Sequence, residues 1–205
     1  DLLNIYFVPG DVATTGDVVA KRHLEIVSAV SDAVAIPVSV KMSPYFSSPG
    51  NMALQLVDAG AAGLVLFNRF LQPDIDVETL RMDSAFDLST PHEGRLPRTW
   101  IAALRNHTQA SLAGSTGVET SDDVVKYLLA GADVVMTTAS LIRHGRGYTA
   151  ELVGGLQSWL VRRGFTSVDQ VRGMLALPMV TDADAIERGG YVAALQAAKE
   201  RYGSL

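Results

Sequence analysis

Short apolar runs alternate along this chain with longer amphipathic stretches. The runs Leu2–Val8, Pro37–Met42, Gly63–Phe67, Gln109–Ala113 and Asp133–Thr137 are continuous in apolar or small residues, the pattern of strands buried on both faces. Between them, Gly16–Val34 gathers Val18, Val19, Leu24, Ile26, Val27 and Val30 largely on one helical face, and Asn51–Ala59 and Ser121–Ala130 behave alike. Strand and helix in regular alternation predict a parallel sheet with helices outside it. Two of the helices run into Ala59-Gly-Ala-Ala-Gly63 and Ala130-Gly-Ala-Asp133, where glycine supplies the left-handed residue that ends a helix before the next strand. Further helix is predicted over Tyr148–Arg163, Val168–Leu175 and the alanine-rich Asp182–Tyr202, the last with Thr181 or Asp182 as its N-cap.

One interval breaks the rhythm. Leu71–Pro97 is too long for an ordinary loop between a strand and a helix, and its alternating stretches Asp76–Met82 and Ala85–Ser89 predict a hairpin laid over the mouth of the fold. It reads equally as a substrate lid or as a surface insertion. The fold class expected is α/β, a (β/α)8 TIM-barrel type of which this sequence supplies the C-terminal five or so βα units. In that division residues 1–175 form a partial barrel carrying the 71–97 insertion, and residues 176–205 a helical tail. Five strands do not close a barrel, so about three further βα units are expected upstream of Asp1, with a five-stranded open sheet as the alternative. Unpaired strand edges are expected at Leu2–Val8 and Val134–Thr137.

Composition narrows the function classes. The 205 residues are 48% hydrophobic and 19% charged with a net charge of −5, which describes one soluble globular domain without the basic field that a nucleic-acid backbone needs. No run approaches the roughly 18 to 20 apolar residues of a membrane span, and cytoplasm is the expected location. The absence of cysteine excludes thiolate chemistry and Cys-ligated metal centres. His23, His92, His107 and His144 read as surface or capping residues, and no His, Asp or Glu spacing builds a metal site.

The chemistry concentrates at strand tips. Gln109–Val118 and Ala130–Thr138 each carry a strand that ends in small or hydroxyl residues, and a helix follows each. Two such tips side by side, Gly114, Ser115, Thr116 and Gly117 with Thr137 and Thr138, would present backbone N–H groups to one phosphate. Gly117 is the least replaceable if the turn requires positive φ, and Thr116 and Thr138 are tolerable only where it does not. Lys41 emerges from the apolar Val38-Ser-Val40. Asn4 and Asn68 stand in or just after strands, where a buried amide demands a partner. Arg69 could grip a carboxylate bidentately, or pair with Asp74 or Asp76.

Taken in order, Leu3-Asn-Ile-Tyr-Phe-Val-Pro9, Ile36-Pro-Val-Ser-Val-Lys-Met-Ser-Pro44, Gly63-Leu-Val-Leu-Phe-Asn-Arg-Phe70, Ala113-Gly-Ser-Thr-Gly-Val118 and Ala130-Gly-Ala-Asp-Val-Val-Met-Thr-Thr138 resemble the dihydroorotate dehydrogenase family, the FMN-dependent class 1 type and especially its dihydroorotate-dehydrogenase-like bacterial branch. The resemblance implies FMN as cofactor, hydride transfer between a dihydropyrimidine-like small-molecule substrate and the flavin, and a place in pyrimidine biosynthesis; a homodimer is open as the assembly. By resemblance Lys41 contacts the flavin ring near N1 and O2. Asn4 and Asn68 serve the flavin edge or the substrate, and Gly114, Ser115, Thr116, Gly117, Thr137 and Thr138 the phosphate; Arg69 stands where the family more often has a small polar residue, and its place at the substrate rests on its own charge. Thr116 replaces a glycine of the family's Gly-x-Gly-Gly turn, and Thr138 stands where glycine is usual.

The family's catalytic base, cysteine or serine, falls on Phe7, which accepts no proton. Tyr6, Asp11, Thr14, Thr15 and Ser43 lie nearby, but none matches the position, and the base stays unassigned. Two other readings remain open: a phosphate-binding barrel isomerase or lyase with Lys41 as electrophile or Schiff-base donor, and a flavin-binding homologue without dihydroorotate turnover.

Overall fold

The computed structural model describes residues 1–5, 10–69, 72–83, 87–178 and 183–203. Tyr6, Phe7, Thr181 and Asp182 lie outside the described residues. The chain runs β1 (Leu2–Asn4), α1 (Gly16–Ala33), β2 (Ser39–Met42), α2 (Pro49–Asp58), β3 (Gly63–Leu66), β4 (Asp74–Asp76), β5 (Arg81–Asp83), α3 (Arg95–Leu104), β6 (Ser111–Gly114), α4 (Ser121–Ala130), β7 (Val134–Val135), α5 (Ala139–His144), α6 (Tyr148–Arg163) and α7 (Ala183–Tyr202). The five expected strands form one parallel sheet in the order β1-β2-β3-β6-β7, while β4 and β5 pair only with each other. β1 and β7 are its two edges.

Strand alternation divides the sheet into a helix-covered face and an open one. Val40, Leu64 and Leu112, neighbours across β2, β3 and β6, are fully buried in the core with Leu56 of α2 and Ile101 of α3. One position further, Asn4, Lys41, Val65, Ala113 and Val134 are aligned in a row across the whole sheet on the other face. Chemistry-bearing side chains and core are thus separated by a single residue of register.

Helix ends follow their local chemistry. Thr120 and Asp123 form a capping box at the start of α4, and Gly131, with φ +119°, closes it; Gly60, with φ +110°, does the same after α2. In α1 the buried residues are Val27 and His23, whereas Val18 is exposed in the first turn. His23 is therefore a core histidine and not a surface one: its Nδ1 donates to the Val19 carbonyl at 2.8 Å, and its ring meets Phe46 edge-on at 5.1 Å.

Two expected elements take other forms. The hairpin exists but lies within residues 74–83, because Asp76 Oδ1 accepts the N–H groups of Glu78 and Thr79 at 2.9 and 3.1 Å and folds the expected first strand back on itself. Its Ile75, Val77, Leu80 and Met82 are exposed; Ala85 lies outside the described residues. Val168–Leu175 is not a helix but one 3-10 turn, Val168–Gln170, followed by further turns. The N–H groups of Gly173, Leu175 and Leu177 instead donate to the carbonyls of Leu128, Leu129 and Ala102, each at 2.9 Å, in the last turns of α4 and α3, where carbonyls lack a full set of intrahelical partners. In α7, Tyr191, Val192 and Leu195 are exposed. Among the described residues no helix is long and apolar enough to cross a membrane.

Candidate functional site

The C-terminal tips of β2, β3, β6 and β7 converge on a cavity of about 280 Å³. Lys41, Asn68, Arg69, Ser115, Thr116, Thr137 and Thr138 line it, together with Phe67, Met136 and a roof from Leu88 and Ser89. Asn4 joins them indirectly, for Asn68 Nδ2 donates to Asn4 Oδ1 at 2.7 Å. That bond links the tips of β1 and β3 across β2, the strand that carries Lys41. Lys41 Nζ meets no acceptor or carboxylate among the described residues. A half-buried cation without a counter-charge, at the mouth of a cavity, is an anion-seeking group.

The hydroxyls of Ser115, Thr116 and Thr137 knit the tips together. Ser115 Oγ and Thr116 Oγ1 both donate to the Phe67 carbonyl, at 3.0 and 3.4 Å. Thr137 Oγ1 donates to the Val118 carbonyl at 2.9 Å and lies 2.8 Å from Ser140 Oγ. Beside Lys41, the main chain offers donors to an anion. Thr116 N–H has no acceptor among the described residues, and Gly117 N–H reaches only Ser89 Oγ, at 3.3 Å.

The glycines of this turn serve packing. Gly114 does not line the cavity: a Cβ there would stand 2.2 Å from Tyr127 Cδ1. Gly117 has φ +68°, and its Cβ would meet Gly94 N and Thr90 O at 2.6 Å. Thr116 departs from expectation, for it adopts φ +80° with a β-branched side chain, a conformation costing on the order of 1–3 kcal/mol. The substitution of threonine for glycine is thus present at a position that does need positive φ.

Two arginines fasten the roof. Arg69 does not pair with Asp74 or Asp76; its Nη1 donates to the Asp87 carbonyl at 2.5 Å and its Nε pairs with Glu93 at 2.9 Å. From the other side Arg143 Nη2 donates to the carbonyls of Leu88 and Ser89 at 3.3 and 3.0 Å, while its Nη1 and His144 Nε2 hold Glu119 at 2.5 and 2.7 Å. The roles of Glu93, Glu119 and Ser89 escape a reading of the sequence, because these partners lie 24 to 54 residues away in the chain.

His144 holds the Glu119 carboxyl below its ordinary value of 4.5 by hydrogen bonding; burial opposes this and Arg143 adds to it. Being lowered in the fold, this group contributes its stabilisation in full above pH 4.5 and loses it as pH falls through the depressed value. Hydrogen exchange at residues 87–90 is expected to accelerate in that acid range, and the acid step is expected to vanish in Glu119→Gln. An acid step of equal size in that variant would assign it to other carboxylates.

A family model of dihydroorotate dehydrogenase matches residues 8–160. The chain belongs to the dihydroorotate dehydrogenase family. Among curated members and relatives, the catalytic subunit of dihydroorotate dehydrogenase B (NAD(+)) from Methanothermobacter thermautotrophicus is 30% identical over 73% of this chain and 50% of its own length. Chloroplastic dihydropyrimidine dehydrogenase (NADP(+)) from Arabidopsis thaliana is 24% identical over 80% of this chain and 42% of its own length. The chain therefore spans half or less of the length of these relatives. The crystal structure of DHODH from Eimeria tenella in complex with ferulenol superposes with a TM-score of 0.56 at 24% identity, covering 69% of this chain and 38% of that one. It places the five-stranded sheet within a TIM barrel, of which the chain forms part.

Proposed function

We propose that this chain forms the FMN-binding part of a dihydroorotate dehydrogenase-type oxidoreductase that moves hydride between a dihydropyrimidine and the flavin. FMN is the cofactor of the family, and when bound it supplies the hydride acceptor. The observation that carries the reading is Lys41, a cation without a partner among the described residues, set beside an amide pair and a turn with spare N–H groups. These residues fit FMN. Lys41 offers fixed positive charge where the ring gathers negative charge on reduction, and the N–H groups of Thr116 and Gly117 suit the phosphate.

The amide pair suits a flat cyclic amide. Because Asn68 Nδ2 donates to Asn4 Oδ1, Asn68 Oδ1 remains as an acceptor and Asn4 Nδ2 as a donor, complementary to a ring N–H and its neighbouring carbonyl. Arg69 is already engaged with Glu93, so a carboxylate-bearing substrate such as dihydroorotate has to displace that contact. An uncharged dihydropyrimidine does not.

Phe7 favours a second reading, a flavin-binding homologue without dihydroorotate turnover, since no proton acceptor stands at the family's base position. The intact protein is expected to take up FMN, and dihydroorotate added without oxygen is expected to bleach the visible absorbance of the flavin. FMN uptake without bleaching, together with bleaching in Phe7→Cys, would establish the second reading. Failure to take up FMN would remove both.

A further inference from the structure

Tyr127 lies on α4, wholly buried and outside the cavity. Its hydroxyl lies 2.7 Å from two successive carbonyls, those of Ser115 and Thr116, and shares its one proton between them. In a planar trans peptide the C=O and N–H point in opposite directions. The N–H groups of Thr116 and Gly117 are therefore turned away from Tyr127, toward the side where Ser89 Oγ of the cavity roof meets Gly117 N–H. Two consecutive N–H groups on one side offer a pair of donors to an anion. Holding this arrangement requires left-handed backbone at Thr116, φ +80°, which a β-branched side chain resists.

We propose that Tyr127 is the positioning residue of the phosphate site: its hydroxyl clamps Thr116 in the left-handed conformation and so aims two main-chain amides at the ligand. The proposal rests on the reading that the cavity holds FMN. The clamp is rigidly mounted. Gly114 leaves room on one side of the ring, and the guanidinium of Arg98, itself paired with Asp123 at 3.6 Å, stands 5.5 Å from the ring centroid. Burial pushes the phenol far above its ordinary value, with Arg98 opposing and Asp123 adding, so the hydroxyl keeps the proton that it donates. Glycine at position 116 would adopt positive φ unaided, and the turn would then no longer depend on Tyr127.

The test is a double-mutant cycle in the intact protein with FMN and riboflavin, which lacks the phosphate, as paired probes. Tyr127→Phe is expected to weaken FMN roughly tenfold and to change riboflavin by less than about twofold. In the Thr116→Gly background the same substitution is expected to change FMN affinity by less than about twofold. Equal loss of FMN and riboflavin, or an undiminished loss in the Thr116→Gly background, would overturn the assignment. Urea unfolding of the four proteins judges the clamp without any ligand: the cost of Tyr127→Phe is expected to shrink in the Thr116→Gly background, and additive costs would overturn it. Absence of FMN binding by the unsubstituted protein would overturn the flavin reading and the ligand half of this proposal, while the unfolding cycle still decides the clamp.

Discussion

Replacing Lys41 by methionine is expected to slow the reduction of bound FMN by dihydroorotate roughly 10²- to 10³-fold, the loss typical when a preorganised charge-stabilising group is removed. Methionine keeps most of the aliphatic stem, so the urea midpoint is expected to stay near that of the unsubstituted protein. The size of the effect follows from the surroundings. Lys41 lines the cavity, and no carboxylate among the described residues neutralises it. Its field is thus available to whatever negative charge develops there, and the partly enclosed site strengthens it relative to water. Single-turnover mixing under anaerobic conditions reads the rate directly. A decrease of less than about threefold would make Lys41 a strand-end cation without a part in the chemistry.

Gly114→Ala is expected to lower stability by about 3 kcal/mol, at the upper end of overpacking costs. The added methyl would sit 2.2 Å from Tyr127 Cδ1, and 2.5 and 2.8 Å from two further ring atoms. The ring is fully buried with Arg98 against it, so it cannot swing aside cheaply. Any shift it does make would withdraw the hydroxyl from Ser115 and Thr116. Gly154→Ala is the control: nothing lies within 4 Å of its added methyl, and in the interior of α6 it is expected to stabilise by about 0.5–1 kcal/mol. Urea unfolding measures both. A cost below about 1 kcal/mol for Gly114→Ala would show that Tyr127 has room to move.

What the sequence discloses and what it withholds divide along the range of the interactions. α4 is legible to the residue, because Thr120, Asp123 and Gly131 state its two ends within twelve positions. The row from Asn4 through Lys41 is legible because strand alternation is strictly local. The gathering of Lys41, Asn68, Arg69, Ser115, Thr116, Thr137 and Thr138 at one cavity follows from parallel strands, whose C-terminal tips share one end of the sheet.

The hairpin register is misread because alternation in Asp76–Met82 suits a strand, and only the Asp76 carboxylate, capping two N–H groups ahead of it, shows the turn. Arg69 is misassigned because several acids lie nearer in the chain than Glu93, and a half-exposed ion pair carries no spacing signature. Neither the left-handed backbone of Thr116 nor the hydroxyl of Tyr127 beneath it leaves a trace in hydropathy. In sequence, Tyr127 is one more apolar position on a helix.

The roof has a consequence for how this protein can change. Arg69 and Arg143 grip the main-chain carbonyls of Asp87, Leu88 and Ser89, groups that every amino acid possesses. The Leu88 side chain, which borders the cavity, can therefore drift across generations without unfastening the segment, whereas Ser89 is also held through its hydroxyl on Gly117 N–H. Attachment and selectivity are inherited separately here, which leaves selection free to rewrite what the cavity admits.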